Sequence, residues 1–275
     1  MDSVILSDLE RYYVIQGAEL GCRIDGRSAE QYRPLEVETN ILSHATGSAS
    51  IRIGGTYLVC CVKVEVGKPL MSRPNEGHLD INVECYPTAT NSATDKGANE
   101  IADNLKATLD SLYAGEFTNL DSLCIQPGRQ CWVVYVDLLI LEGDGNFLDA
   151  ATIVVKAALL NSSRHFGSDV LPIGNVANAT NLPQFDYTQL PVFVTVHKIG
   201  NAHVVDATRD EEACSLARLS IAVYPNGRQG AMTLEGCGSC HVDTVCKMAE
   251  IAKIVGCELS TALVKTLRLE SNLRS

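Results

Sequence analysis

The feature that most constrains the fold is the run Gln130–Glu142, QCWVVYVDLLILE, with the turn and the apolar stretch directly after it. The run is interrupted by one charge, Asp137, and is far shorter than the ~20 residues that cross a bilayer. Rich in valine and aromatic residues, it reads as a strand covered on both faces. A lone acid in such a strand is either catalytic or, more commonly, paired or at an edge. Gly143-Asp144-Gly145-Asn146 then turns the chain. Leu148–Asn161, Ala- and Val-rich with almost no polar face, predicts a helix buried against the sheet or another helix.

Other elements assemble around this pair. Ser7 with Glu10 three residues on forms a capping box that starts a helix running to about Ile15. Leu35–Leu42, Ser48–Ile53, Thr56–Val66 and His78–Tyr86 read as strands, and Gly54-Gly55 joins two of them in a hairpin. No G-x-x-x-x-G-K-[ST] pattern accompanies that glycine pair, so it is a turn and not a phosphate loop. Four strands in the first 90 residues imply an antiparallel or mixed sheet. Asn99–Tyr113 puts Ile101, Leu105, Leu109 and Leu112 on one helical face.

The second half repeats the outline. Pro191–Ile199 and Ala202–Asp206 flank Gly200-Asn201 as a hairpin, Ala217–Tyr224 and Gly230–Leu234 are strands, and a long helix carries apolar residues from Val245 to Leu267. Both halves are β-rich and then helical, a duplication of architecture without a residue-level repeat. The divisions are an N-terminal helix and arm over 1–30, a first half over 31–165, a connecting segment over 166–189 and a second half over 190–275.

A net charge of −11 argues against tight nucleic-acid binding by the chain alone, since that affinity comes from neutralising phosphates. With 46% hydrophobic and 20% charged residues the composition is that of a soluble globular protein. The 11 cysteines, odd in number and without a regular framework, point to reduced thiols in an intracellular compartment. The acidic N-terminus lacks the pattern of a signal peptide, and no membrane association is expected.

Candidate chemistry gathers at the end of the Ala202–Asp206 strand. Asp206 and, six residues on, Glu212 are spaced as two carboxylates that hold one Mg²⁺ against a phosphate, with Asp210 and Glu211 between them. The stretch CRIDGRSAEQYRPLEVE, with Arg23, Arg27 and Arg33, is polar and reads as an extended arm, for which a solvated loop is the favoured account. Cys237, Cys240, His241 and Cys246 offer zinc-type ligands, but a second C-x-x-C is missing and Cys246 falls inside a helix. Adjacent Cys60 and Cys61 read as packing residues.

RIDGRSAEQYRPLEVETN, GSASIRIGGTYLVCCVKVEVG, VDLLILEGDGNFLDAATIVVKAAL and HVVDATRDEEACSLARLSIAV occur in order and together resemble the RNase PH family. Within that family they resemble the second, non-catalytic class of exosome ring subunits, and the similarity spans about Ile5 to Leu267. The resemblance implies an α+β, RNase PH-like fold of two pseudo-repeated β-α-β units, of the ribosomal S5 domain 2-like type, with mixed sheets and packed helices. It implies partners: other RNase PH-like subunits in a heterohexameric ring, S1/KH cap subunits, and RNA passing through the assembled channel. Residence in nucleus, nucleolus and cytoplasm is expected.

Active members of the family release 3′ nucleotides with inorganic phosphate. Their second acid is Asp, where this chain has Glu212; the longer side chain displaces a metal that tolerates little displacement. Their phosphate arginine aligns with Gln130, one residue from Arg129, and the stretch Asn91–Asn99 supplies only Lys96. On this reading the acids Asp206 and Glu212 are vestigial and the cationic half of the site is missing. No cofactor and no catalysis are expected, and Gln130→Arg with Glu212→Asp is not expected to restore activity. Lys106 and Arg129 are the candidate RNA contacts. The alternative is an active phosphate-dependent 3′-to-5′ exoribonuclease with Asp206 and Glu212 holding the metal.

Overall fold

A computed structural model describes residues 6–90, 95–113, 120–165 and 187–274. Asn91 to Thr94, at the start of the stretch Asn91–Asn99, and most of the connecting segment lie outside the described residues; Tyr187–Gln189 is a short 3-10 turn.

The first helix, α1 (Asp8–Glu19), starts at the Ser7–Glu10 capping box and runs a turn beyond Ile15. Strands β1 (Leu35–Thr39), β2 (Gly47–Ile53), β3 (Thr56–Gly67) and β4 (His78–Cys85) come next. Helix α2 (Asp95–Tyr113), a short β5 (Cys124–Gln126), β6 (Gln130–Glu142) and α3 (Phe147–His165) complete the first half. The second half contains β7 (Val192–Ile199), β8 (Ala202–Val205), α4 (Arg209–Cys214), β9 (Ala217–Val223), β10 (Gln229–Glu235) and α5 (Val242–Arg274). The short β5 and α4 have too few residues for a periodic signal and were not legible in the sequence.

The first sheet has the order β1-β2-β3-β6-β4, with β5 also paired to β6. It is mixed: β4 runs parallel to β6 and β3 antiparallel to it. The second sheet, β10-β9-β7-β8, is wholly antiparallel. On β6, Trp132, Val134, Val136, Leu138 and Ile140 are buried, but Tyr135 and Asp137 on the other face are exposed. The expectation that both faces of this strand are covered is therefore corrected: around these two residues the outer face of the sheet is open.

Helix α3 is the hub. From Ala150 to Leu159 every residue is buried, and it packs against β2 and β3 of one sheet and β7 of the other. The close approach to β2 depends on Gly47, where a Cβ would stand 2.5 Å from the Ala158 carbonyl oxygen. Lys156, fully buried, donates from Nζ to the Leu190 carbonyl at 2.7 Å and to Ser260 Oγ at 2.8 Å, tying α3 to α5. Helix α5 covers β7 and β9. Helix α1 lies on the far edge of the second sheet, where Val14 and Ala18 cluster with Ile199, Val204 and Cys214.

Candidate functional site

The β7–β8 hairpin turns at Gly200, with φ +58°, and delivers Asp206 just beyond the end of β8. Asp206 has φ +49°, a left-handed conformation that a short polar side chain adopts more readily than most. It is completely buried. The turn between β6 and α3 meets it there. Gly145, with φ +83°, lies so close that a Cβ would be 2.9 Å from the Ala207 carbonyl oxygen and from Arg209 N.

The arm closes over this junction. The solvated-loop reading of residues 22–38 is corrected, because Arg23, Arg27 and Arg33 are all buried. Arg33 grips Asp206 from both sides of its fork, Nε to Oδ2 at 3.0 Å and an NH2 to Oδ1 at 2.9 Å, and its backbone N–H donates to Oδ2 at 2.8 Å. Arg27 adds a hydrogen bond to Oδ2 at 3.1 Å, and Asn146 Nδ2 donates to Oδ1 at 2.7 Å. Arg23 pairs with Glu211, Nε to Oε1 at 2.9 Å, and also donates to the carbonyls of Val205 and Asp206. Glu211 in turn accepts from the Thr208 N–H at 2.8 Å, so it caps α4 while holding the arm.

Glu212 is half-buried and is linked to Asp206 through one residue. The Asn146 N–H donates to Glu212 Oε1 at 2.8 Å while its side-chain amide donates to Asp206. Burial pushes the Glu212 carboxyl up, with the Asn146 hydrogen bond opposing. Burial also works to raise Asp206, but the Arg33 hydrogen bonds and charge, with Asn146, outweigh it and hold that carboxyl below the usual range. A third acid, Asp149 in the first turn of α3, accepts from Tyr32 Oη at 2.6 Å and from the Thr195 N–H and hydroxyl. Burial pushes it up to about 6, against those hydrogen bonds.

The family's active members imply a divalent metal at this place, and the residues present do not fit one. A carboxylate offers about four lone-pair directions, and the two oxygens of Asp206 already receive five donors. Mg²⁺ requires free oxygens in octahedral geometry. Among the described residues no three His, Cys, Asp or Glu side chains converge as a metal site. Cys237, Cys240, His241 and Cys246 lie on the loop before α5 and its first turn, where His241 pairs instead with Asp243.

The expected shortage of cations is also corrected. Three guanidinium groups surround the acids, all directed at carboxylates and backbone carbonyls within the cluster. The placing of the phosphate arginine's position at Gln130 is corrected too, because Arg129 and Gln130 stand at the far end of β6 from these acids. Gln130 begins β6 and the Asp206 junction adjoins its other end, so about 40 Å of strand separates them at ~3.3 Å per residue. Arg129 is exposed in the β5–β6 turn, and Lys106 is half-buried on α2. Sequence reasoning missed Tyr32, Asn146 and Asp149 as members of the cluster; their signal was polarity at fixed places flanking apolar runs.

Residues 31–165 match the 3′ exoribonuclease family, domain 1, and residues 189–255 match domain 2 of the same family. The chain is 36% identical over 228 residues to the exosome complex component Rrp42 of Methanopyrus kandleri, covering 82% of this chain and 85% of that protein. It is 31% identical to the Thermococcus kodakarensis Rrp42 over 264 residues, covering 96% and 97%. Its structure is similar to a chain of the Archaeoglobus fulgidus exosome with RNA bound to the active site, with a TM-score of 0.79 and 28% identity over 93% of this chain and 98% of that one. Rice Rrp46, 19% identical with a TM-score of 0.66, shares the fold. The chain belongs to the RNase PH family of 3′ exoribonucleases.

Proposed function

We propose that this chain is a non-catalytic, structural subunit of an RNA exosome core, one member of a hexameric ring of RNase PH-like subunits that supports 3′-to-5′ RNA processing and degradation. The relatives named exosome complex component Rrp42 and the likeness to archaeal exosome core chains support the assembly. The observation that carries the absence of catalysis is the saturation of Asp206: an acid that accepts five hydrogen bonds from Arg27, Arg33 and Asn146 has no oxygen to offer a metal or substrate. Here Asp206 anchors the N-terminal arm to the second half.

In this reading the partners are other RNase PH-like subunits and S1/KH cap subunits, with RNA passing through the assembled channel. Lys106 and Arg129 are the candidate RNA contacts on this chain. The net charge of −11 makes the basic part of the RNA path the work of neighbouring chains. Residence follows the assembly, in nucleus, nucleolus and cytoplasm.

Two measurements test the proposal. The native mass of the tagged protein from its own cells, with subunits identified, is expected to be that of a large hetero-oligomer containing other RNase PH-like chains; a monomer or homo-oligomer overturns the ring. The purified chain, given a short RNA and inorganic phosphate, is expected to release no nucleoside diphosphates; phosphate-dependent release establishes the alternative, an active exoribonuclease.

A further inference from the structure

Helix α1 is apolar on two sides, and among the described residues the hydrophobic clusters use only one. Its inner side, Val14 and Ala18, is packed on the second sheet. Its outer side carries Leu9 at 81% exposure, Tyr12 at 65%, Tyr13 at 67% and Leu20, at the C-cap, at 77%. At 3.6 residues per turn these four fall within an arc of about 100°, the width of a packing stripe. The stripe also contains the half-buried Gln16, whose amide is turned to Glu19, and its two tyrosines and two leucines are suited to an interface core, where tyrosine contributes large area at little entropic cost.

Charge selects the occupant. Measured from Leu9, Glu10 lies about 100° to one side of the stripe, and Asp8 and Glu19 lie about 80–100° to the other. Arg11, the helix's one basic residue, points about 160° away, to the side of Cys214 and α4. Carboxylates therefore flank the stripe on both sides. A second copy docking through the same stripe sets acids against acids. RNA and anionic lipid surfaces are repelled in the same way.

We infer that the α1 stripe is a docking surface for a different protein chain, one that receives Tyr12, Tyr13 and Leu20 in an apolar cleft flanked by lysine or arginine. This goes beyond the ring-subunit reading and does not depend on whether the chain is catalytic.

The test places the photo-crosslinking residue p-benzoylphenylalanine at Tyr12, and separately at Tyr13, in the full chain within its own cells, followed by sequencing of the crosslinked peptides. The expected product joins both positions to one segment of one other protein, with apolar residues flanked by Lys or Arg and a net positive charge. Crosslinks to a second copy, to another part of the same chain, to an acidic or neutral segment, or to nothing overturn the inference. With that partner identified, Tyr12→Glu combined with Leu20→Glu is expected to weaken its binding by at least about tenfold, and wild-type binding is expected to weaken as salt rises from about 0.05 to 0.5 M. Both substituted residues are exposed, so the melting temperature is expected to stay unchanged. Unaltered binding by the double variant overturns the inference.

Discussion

Asp206 and Glu212 lie six positions apart and are bridged by one asparagine, yet their surroundings set them to opposite behaviour. Asp206 is held charged by two arginines; Glu212, with one backbone N–H, is pushed towards its neutral form by burial. Asp206→Asn removes the buried carboxylate that Arg27 and Arg33 share and leaves them only the more exposed Asp25 and Asp144, which costs about 3–5 kcal/mol for a broken buried pair. Glu212→Gln keeps an acceptor for the Asn146 N–H and is expected to cost less than about 1 kcal/mol. Denaturant midpoints of the two variants check this; equal losses would contradict the anchoring role of Asp206. The pH dependence separates the acids further. Asp149 has a folded pKa of about 6, above its ordinary 3.8. The folded state thus binds the extra proton, so its contribution is fully present below about pH 4 and is lost as pH rises through 6, by at most about 3 kcal/mol. Asp206 has the opposite sign: its contribution is present above the unfolded pKa and is lost as pH falls. The stability of wild type minus that of Asp149→Asn is therefore expected to fall between pH 4 and 6 and then level off. A difference that rises over that range removes this assignment.

At the scale of elements, the arm is the part whose role changes most between sequence and structure. Hydrophobic periodicity located the long strands and helices because burial imposes a period on them. The alternation of β3 and the Ala-rich run of α3 are direct imprints of the core. The arm has no such period, since what fixes it is polar: Arg23, Arg27 and Arg33 reach residues about 110 to 190 positions away. Single-sequence reading has no signal for a charge pair at that separation, and a buried guanidinium looks like a solvated one. The D-G-R motif was legible as a family mark, but its partners were not. The junction that receives the arm depends on Gly145, and Gly145→Ala forces a methyl against Ala207 and Arg209 in a left-handed backbone. Its cost is expected to be about 1–2 kcal/mol from the backbone alone, with further loss from the contact. Limited trypsin digestion reads the consequence. Arg23 and Arg27 are expected to resist cleavage in the wild type and to be cut early in Gly145→Ala and Asp206→Asn. Protection unchanged in both variants would mean that the arm is held by something other than this junction.

Across the whole molecule, the distance between the two ends of β6 decides what substitution can restore. The outward-facing Arg129 and the preceding turn belong to one end of the first sheet, where the Gly128 N–H donates to the Pro74 carbonyl at 2.8 Å and fixes the turn. The acids belong to the other end, where the two halves meet. An arginine introduced at Gln130 therefore stays about 40 Å of strand from Asp206. Shortening Glu212 to Asp does not release Asp206, because none of its five donors comes from Glu212. Phosphoryl transfer needs a cation on the phosphate and a carboxylate free to hold the metal within one site. Gln130→Arg with Glu212→Asp supplies neither, and the purified double variant is expected to release no nucleoside diphosphates from RNA and phosphate above the wild-type background. Phosphate-dependent release well above that background, with the fold intact by thermal melting, would show that Asp206 can leave its arginines and that the arm is a movable cover over a working site.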